Sequence, residues 1–251
     1  NGAEDIDAIE PTAPKNIMLV SATDATDRRA VFSNVGSAIS VAAPGVDIVS
    51  LRARATDFMY NKAETSYVRG DAFLGDDYRY YRSSGTSFAA PIVSGIASLV
   101  WSERRQLTAQ QVRRIVEQSA RDVEAAGRDR LTGFGVVDAG AALAADPDFF
   151  IDAEISAVTR ADKDGEVLIS VRGLADANLF GYGTLEIGLG HEPASWQKVG
   201  ENILVRVHDA VLAQFPAGLL EGSEVWTLRL SVEHATGKRR EARYTLNLEQ
   251  R

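Results

Sequence analysis

The stretch YRSSGTSFAAPIVSGIASLVWS, residues 81–102, is the part of the sequence that best indicates the fold. A Gly-Thr pair precedes Ser87, and an almost continuous run of apolar and small residues follows it. A run of this length and composition predicts one helix over residues 86–101 that is central to its domain. Pro91 lies early in this helix, where few intrahelical bonds need an N–H donor. We therefore expect a helix buried nearly all round, with the Ser87 hydroxyl in a cleft.

Ser87 admits two interpretations on physical grounds alone. The start of a helix offers free backbone N–H groups and the positive end of the helix dipole. Gly85 allows another molecule to approach without a steric clash. A hydroxyl held in these surroundings suits an acyl-transfer nucleophile. Serine is also a common helix N-cap, so a purely structural role accounts for the same position.

Composition excludes several classes of function. The chain has 251 residues, a net charge of −8 and no cysteine, which rules out disulfides, cysteine-ligated zinc and a cysteine nucleophile. The acidic balance disfavours nucleic acids and anionic membranes as partners. No run of about 20 apolar residues predicts a membrane span, and the first residues lack the pattern of a signal peptide. The densest basic cluster, GKRREAR at 237–243, is expected to be a solvated hairpin turn.

Up to about residue 147, predicted strands and helices alternate, which is typical of an α/β domain with a mostly parallel sheet. Thr108 and Gln111 form a capping-box pattern, and Leu107 is placed to pack on Val112. Asp138 is predicted to cap a last helix, which Pro147 ends. The predicted elements are a strand at 16–24, two short strands at 39–50, a long surface loop with a hairpin at 51–80, a helix at 107–120, and a turn, strand and helix at 133–147.

After Pro147 the hydrophobic pattern changes to period two. Alternating apolar residues in two segments, 226–234 and 241–249, flank the turn sequence ATGK and predict a hairpin with one buried side. Its buried face is expected to contain Trp226, Leu228, Leu230, Val232, Ala242, Tyr244, Leu246 and Leu248. Several such strands predict an all-β sandwich of immunoglobulin or fibronectin type. The predicted domains are therefore residues 1–147 and 148–251.

The motifs of the first domain together resemble the subtilisin-like serine proteases, or subtilases. GTSFAAP at 85–91 is similar to the family's serine motif, G-T-S-x-[AS]-x-P followed by a small-residue helix. The same order of motifs continues in VSATDATDRRAVFSNVG, VAAPGVDIVS, LTAQQVRRIVEQSA and GFGVVDAGAAL. The resemblance covers residues 1–145 and implies the C-terminal portion of a subtilisin-like fold. It also implies Ser87 as the nucleophile and a protein or peptide as substrate.

The resemblance leaves the other two residues of a catalytic triad without counterparts. No DTG-like or HGT-like motif occurs in the chain, and in the family both precede everything matched here. The three histidines, His191, His208 and His234, lie in the predicted β-sandwich, where each is expected at the surface or at a strand end. We therefore expect the triad His and Asp to come from an N-terminal segment absent from this chain, the N-terminal half of the same protease.

Further site residues follow from the resemblance. Asn1 stands where the family has its oxyanion-hole asparagine, or directly after that position. Ile9, Glu10 and Pro11 are placed to line the substrate pocket, and Gly85 and Thr86 border it. Glu10 would favour basic or polar substrate side chains there, and a solvated loop acid is the equally good alternative.

The resemblance predicts no bound cofactor and no metal ligand. Ala38 and Ser40 stand where some family members have calcium-binding carboxylates, so calcium remains only a possible structural ion at a site not located. The segments 179–200 and 222–249 resemble β-sandwich modules attached to secreted bacterial enzymes, which implies a secreted or extracytoplasmic protein.

The sequence therefore predicts a serine endopeptidase that acts through an acyl-enzyme on Ser87 and is inactive as this chain alone. Two alternatives remain open at this point. One is a catalytically inactive, subtilase-derived binding or structural module. The other is a sedolisin-type acid serine peptidase, which shares the G-T-S string and uses a glutamate as its base.

Overall fold

The computed structural model describes residues 3–6, 17–52, 72–75, 79–163 and 165–248. Asn1, Ile9, Glu10 and Pro11 lie outside these residues. Up to residue 147, the elements are β1 (Leu19–Thr23), β2 (Ile39–Pro44), β3 (Ile48–Leu51), β4 (Phe73–Leu74), β5 (Tyr80–Ser83), α1 (Thr86–Glu103), α2 (Ala109–Gln118) and α3 (Ala139–Ala144). This region is called the α/β part below.

The strands of the α/β part form two small sheets. β1 and β2 pair in parallel, and Val136 extends this pair through a parallel bridge to Ala42. The other sheet is antiparallel, in the order β3-β5-β4. Most of the surface loop expected at 51–80 lies outside the described residues. The larger, mostly parallel sheet remains a prediction, because only one strand pair among the described residues is parallel.

Helix α1 buries one face only. Ala89, Val93, Ile96 and Val100 are buried in a core shared with β1, β2 and α2. On its two flanks, Leu99 and Trp101 are 51% and 57% exposed. The expectation of a helix buried nearly all round is therefore wrong for the described chain, because its packing partners lie on one side.

The ends of α2 and α3 follow local sequence rules. Thr108 and Gln111 make both hydrogen bonds of the predicted capping box, and Leu107 is buried in the same cluster as Val112. Asp138 accepts a hydrogen bond from the Ala141 N–H, as predicted for the start of α3. The guanidinium of Arg104 donates to the last carbonyls of α3, at Ala142, Leu143 and Ala145.

Residues 148–248, called the β part below, form two antiparallel sheets around one hydrophobic core. The sheet orders are β10-β7-β6 and β12-β11-β8-β9, and Val171 of the first sheet shares its core with Leu185 and Leu230 of the second. The strands are β6 (Ile151–Lys163), β7 (Glu166–Ala177), β8 (Phe180–Leu189), β9 (Gln197–Ile203), β10 (Val207–Pro216), β11 (Val225–His234) and β12 (Arg239–Asn247), with a 3₁₀ turn at Ala217–Leu220.

The hairpin β11–β12 forms as predicted from the alternating apolar residues. Leu230 pairs with Ala242 and Leu228 with Tyr244, which places the predicted apolar residues on one face. Leu228, Leu230 and Val232 are fully buried. A period-two pattern with a short turn is therefore sufficient to define this hairpin.

If the β part is a domain, residues 150–251 should fold when expressed alone, because their core is contiguous and separate from that of the α/β part. We expect β-type circular dichroism and one cooperative thermal transition. Leu230→Ala should lower the free energy of unfolding by about 2–5 kcal/mol. Thr245→Ala, at an exposed position, serves as the control and should change it by less than about 0.5 kcal/mol. A disordered product would show that the β part depends on the α/β part.

Candidate active site

Ser87 is the second residue of α1, and its side chain is exposed. The N-cap of this helix is Gly85, whose backbone angles (φ 157°, ψ 155°) are ones that residues with a side chain rarely adopt, and no side chain caps the helix. Ser87 is therefore not the N-cap, so the capping interpretation is wrong. Among the described residues, no side chain or backbone group forms a hydrogen bond with the Ser87 hydroxyl.

A chain of backbone hydrogen bonds holds the loop that leads into α1 directly ahead of Ser87, called the Ser87 loop below. The Gly45 N–H donates to the Thr23 carbonyl at the end of β1 over 2.9 Å. The Gly85 N–H in turn donates to the Gly45 carbonyl over 2.8 Å, and the Phe88 N–H donates to the Gly85 carbonyl over 3.0 Å. The position of Ser87 is thereby tied to the carboxyl ends of β1 and β2.

Gly45 leaves no room for a side chain. A Cβ atom at this position would lie 2.6 Å from the Cβ of Ala22 and 3.0 Å from the Gly85 carbonyl oxygen. Only glycine therefore allows the turn after β2 to approach both β1 and the Ser87 loop. Gly45 was not among the predicted site residues, although a Pro-Gly pair such as that in VAAPGV is typical of a turn.

The start of α1 is electrostatically suited to bind a negative charge. No acidic side chain lies in its first turn, so none neutralises the positive end of the helix dipole. Thr86 is the first helical residue and is half-buried beside Ser87. The nearby ion pair between Arg82 and Asp47 is exposed, with 3.1 Å between Nε and Oδ1, and contributes little stability.

The histidines lie in the β part, and their described side-chain contacts are with other residues of that part. His191 and His208 are exposed, and the Nε2 atom of His208 lies 3.3 Å from Asp176. His234 ends β11 as predicted, but it is buried rather than at the surface. A buried imidazole needs partners for its polar atoms, and the ring nitrogens of His234 form hydrogen bonds with Thr236 and Asn178.

A metal site is not apparent in the part of the chain that the structure describes. No group of three or more His, Asp or Glu side chains there is arranged to hold a metal ion. Ala38 and Ser40, which replace the carboxylates of the possible calcium site, are both buried, and Arg113 donates a hydrogen bond to the Ser40 hydroxyl.

The crowding at Gly45 gives a direct test of how the Ser87 loop is held. Gly45→Ala should lower the free energy of unfolding by about 1–3 kcal/mol, because the methyl group must displace β1 or the Ser87 loop. Gly95→Ala is the matched control, since a Cβ atom at Gly95 has nothing within 4 Å. Alanine in this helix interior should raise stability by about 0.5–1 kcal/mol. Denaturant unfolding measures both, and equal effects would contradict the crowding at Gly45.

Comparison with known proteins shows the family to which this sequence belongs. The sequence pattern described as Subtilase family matches residues 5–135. The chain is 36% identical over 118 residues to a thermophilic serine proteinase of Bacillus sp. (strain AK1), with 47% of this chain and 23% of that protein covered. It is 34% identical over 130 residues to a probable subtilase-type serine protease of Deinococcus radiodurans, covering 51% and 17%. It is 32% identical over 138 residues to a halolysin-like extracellular serine protease of Natrialba magadii, covering 55% and 21%.

The chain spans less than a quarter of the length of each of these relatives. The region that matches the family pattern includes Gly45, Ser87 and the helices around them. On this evidence the chain belongs to the subtilase family of serine proteases.

Proposed function

We propose that this chain forms the nucleophile-bearing portion of a serine endopeptidase that hydrolyses peptide bonds. The observation that carries the proposal is the exposed Ser87 hydroxyl, free of described hydrogen-bond partners, at the N-terminus of α1 in a chain of the subtilase family. Gly85 and Thr86 border the same helix start, where a substrate carbonyl can approach.

In the proposed reaction, the Ser87 Oγ atom attacks the carbonyl carbon of the scissile bond while its proton passes to a histidine base. The resulting oxyanion accepts hydrogen bonds from backbone N–H groups at the start of α1 and from an asparagine side chain. That asparagine is Asn1 or the residue that precedes it in the protease. Departure of the protonated amine leaves an ester on Ser87, which water then hydrolyses.

The histidine and its orienting aspartate would come from an N-terminal segment that is not part of this sequence, called the upstream segment below. Two exposed apolar side chains of α1 support this proposal. Leu99 and Trp101 are each more than half exposed, although both belong to the helix that carries Ser87. Apolar side chains on a helix of this kind are usually covered, and the upstream segment of a subtilase domain is the proposed cover.

Three finer assignments belong to the same proposal. The β part is a sandwich of immunoglobulin or fibronectin type, and Ile9, Glu10 and Pro11 line the substrate pocket. The protein acts outside the cytoplasm, which is supported by the relative from Natrialba magadii that is named extracellular. Among the described helices, none is both long and apolar enough to cross a membrane.

The two alternatives differ in their support. Membership of the subtilase family favours this mechanism over that of a sedolisin-type acid peptidase. The inactive-module alternative retains Ser87 but requires no base, so only a measurement of reactivity separates it from the protease.

A fluorophosphonate probe tests the proposed nucleophile. The isolated chain should not be labelled at Ser87, because without a base the hydroxyl is a poor nucleophile. Adding the upstream segment should restore labelling and peptidase activity, with a rate increase of about 10⁴-fold or more from the assembled triad. Ser87→Ala should abolish both signals in the assembled protein.

Ser94→Ala provides the control, since Ser94 is an exposed serine of the same helix that donates to the Ala90 carbonyl. It should leave labelling unchanged. Rapid labelling of the isolated chain would refute the need for an upstream segment. An assembled protein that stays unlabelled would instead favour the inactive module.

A further inference from the structure

Residues 127–137 of the α/β part are called the closing segment, and its last residues, 134–137, lie along β2. The Phe134 N–H donates to the Ser40 carbonyl, and the Val137 N–H donates to the Ala42 carbonyl, each over 2.9 Å. In return, the Ala42 N–H donates to the Gly135 carbonyl over 2.9 Å. The closing segment therefore acts as a strand-like neighbour of β2, which leads directly into the Gly45 turn.

The opposite side of the closing segment contacts the β part. Arg128 forms a parallel bridge with Ala242 of β12. Its guanidinium donates to Glu154 of β6 over 3.0 Å and to the Ser37 carbonyl ahead of β2 over 2.7 Å. Arg128 thus contacts both parts of the chain and links them through charge-assisted hydrogen bonds.

Arg240 reinforces this contact from β12. Its guanidinium lies 4.7 Å from the centroid of the Phe134 ring and donates to the Gln118 carbonyl at the end of α2 over 3.3 Å. The basic cluster 237–243 is therefore not simply a solvated turn, as expected from the sequence, because Arg240 faces the α/β part. Burial lowers the pKa of Arg240 and raises the pKa of Asp152, although nearby opposite charges act against both shifts.

The side chain of Gln118 fixes the end of α2 to the first strand of the β part. Its Nε2 atom donates to the Ile151 carbonyl and to Asp152, each over 3.0 Å, and its Oε1 atom accepts from the Ile151 N–H over 3.3 Å. An amide group that pairs with both backbone groups of one residue defines the orientation of the two elements closely.

Close packing completes the contact. A Cβ atom at Gly127 would lie 1.9 Å from the Glu241 carbonyl oxygen, so the backbones of the closing segment and β12 touch. A cavity of about 500 Å³ opens beside this point and is lined by residues of both parts, among them Asp122, Phe134 and Arg243. These contacts differ from those of a tethered module, which has a polar linker and few contacts across the boundary.

We propose that the β part is a fixed support for the α/β part. It holds the closing segment on β2 and thereby steadies the Gly45 turn, from which the Ser87 loop is held. β12 and β6 contact Arg128 and Phe134 of the closing segment, and Phe134 in turn forms a backbone hydrogen bond with β2. This inference concerns the coupling of the two parts and does not depend on catalysis by Ser87.

Two glycines with nearly equal backbone angles test the proposal. Gly127 has φ +93° and lies against Glu241, whereas Gly222 has φ +92° and open space where a Cβ atom would stand, with nothing within 4 Å. Gly127→Ala and Gly222→Ala therefore impose similar backbone strain, but only the first disturbs the contact. Hydrogen exchange by mass spectrometry on the whole chain would be read at peptides covering β2 and the closing segment.

We expect Gly127→Ala to accelerate hydrogen exchange in β2 and the closing segment at least about tenfold. When the closing segment no longer packs against the β part, it can separate from β2 without unfolding of the β part. Gly222→Ala should leave those peptides unchanged. Exchange in β2 that responds equally to both variants, or to neither, would overturn the proposal.

A milder pair of variants covers the case in which Gly127→Ala fails to fold. Arg240→Met retains an unbranched side chain but loses the charge that faces Phe134 and the Gln118 carbonyl. Its control is Arg172→Met, since Arg172 is exposed and donates to the Asp209 carbonyl within the β part. Faster exchange of β2 in Arg240→Met alone supports the proposal, and unchanged exchange in both contradicts it.

Discussion

The close approach of β1, the Gly45 turn and the start of α1 is the constraint on which the α/β part depends. A Cβ atom at Gly45 would meet both the Ala22 side chain and the Gly85 carbonyl oxygen. Ala43 and Ala89 are fully buried in the same cluster as Ala22, so small side chains fill the space between the sheet and the helix. Larger residues here would separate α1 from β1 and move Ser87 away from the carboxyl ends of the strands.

Features determined by neighbouring residues could be predicted from the sequence. The capping box at Thr108 depends on residues three apart, and the buried face of β11 depends on alternation within one strand. The glycine and the small-residue helix around Ser87 drew attention to it, but its assignment as the nucleophile came from the resemblance to the subtilase serine motif and stays a prediction. Each of these signals is local, so no knowledge of distant packing was needed.

Features that depend on distant parts of the chain could not be predicted in the same way. The apolar pattern of α1 gave no indication that Leu99 and Trp101 would lack cover in the described part of this chain. Arg240 belongs to a basic run that suits a solvated turn equally well, and only its contact with Phe134 shows otherwise. The burial of His234 could not be predicted for the same reason, because its hydrogen-bond partner Asn178 lies far away in sequence.

The α/β part is therefore bounded by two kinds of surface that differ in their chemistry. The contact with the β part contains hydrogen-bonded arginines, the Gln118 amide and close backbone packing, which fix orientation more than they add stability. Leu99 and Trp101, on the two flanks of α1, are apolar, so cover over them would contribute chiefly through the hydrophobic effect. An orienting contact suits a permanent support, whereas exposed apolar side chains suit a segment that completes the core. Both side chains lie near the C-terminal end of α1, about 18–21 Å along the helix from Ser87 at 1.5 Å per residue. A segment that covers them and the groups that would contact Ser87 therefore belong to different ends of this helix.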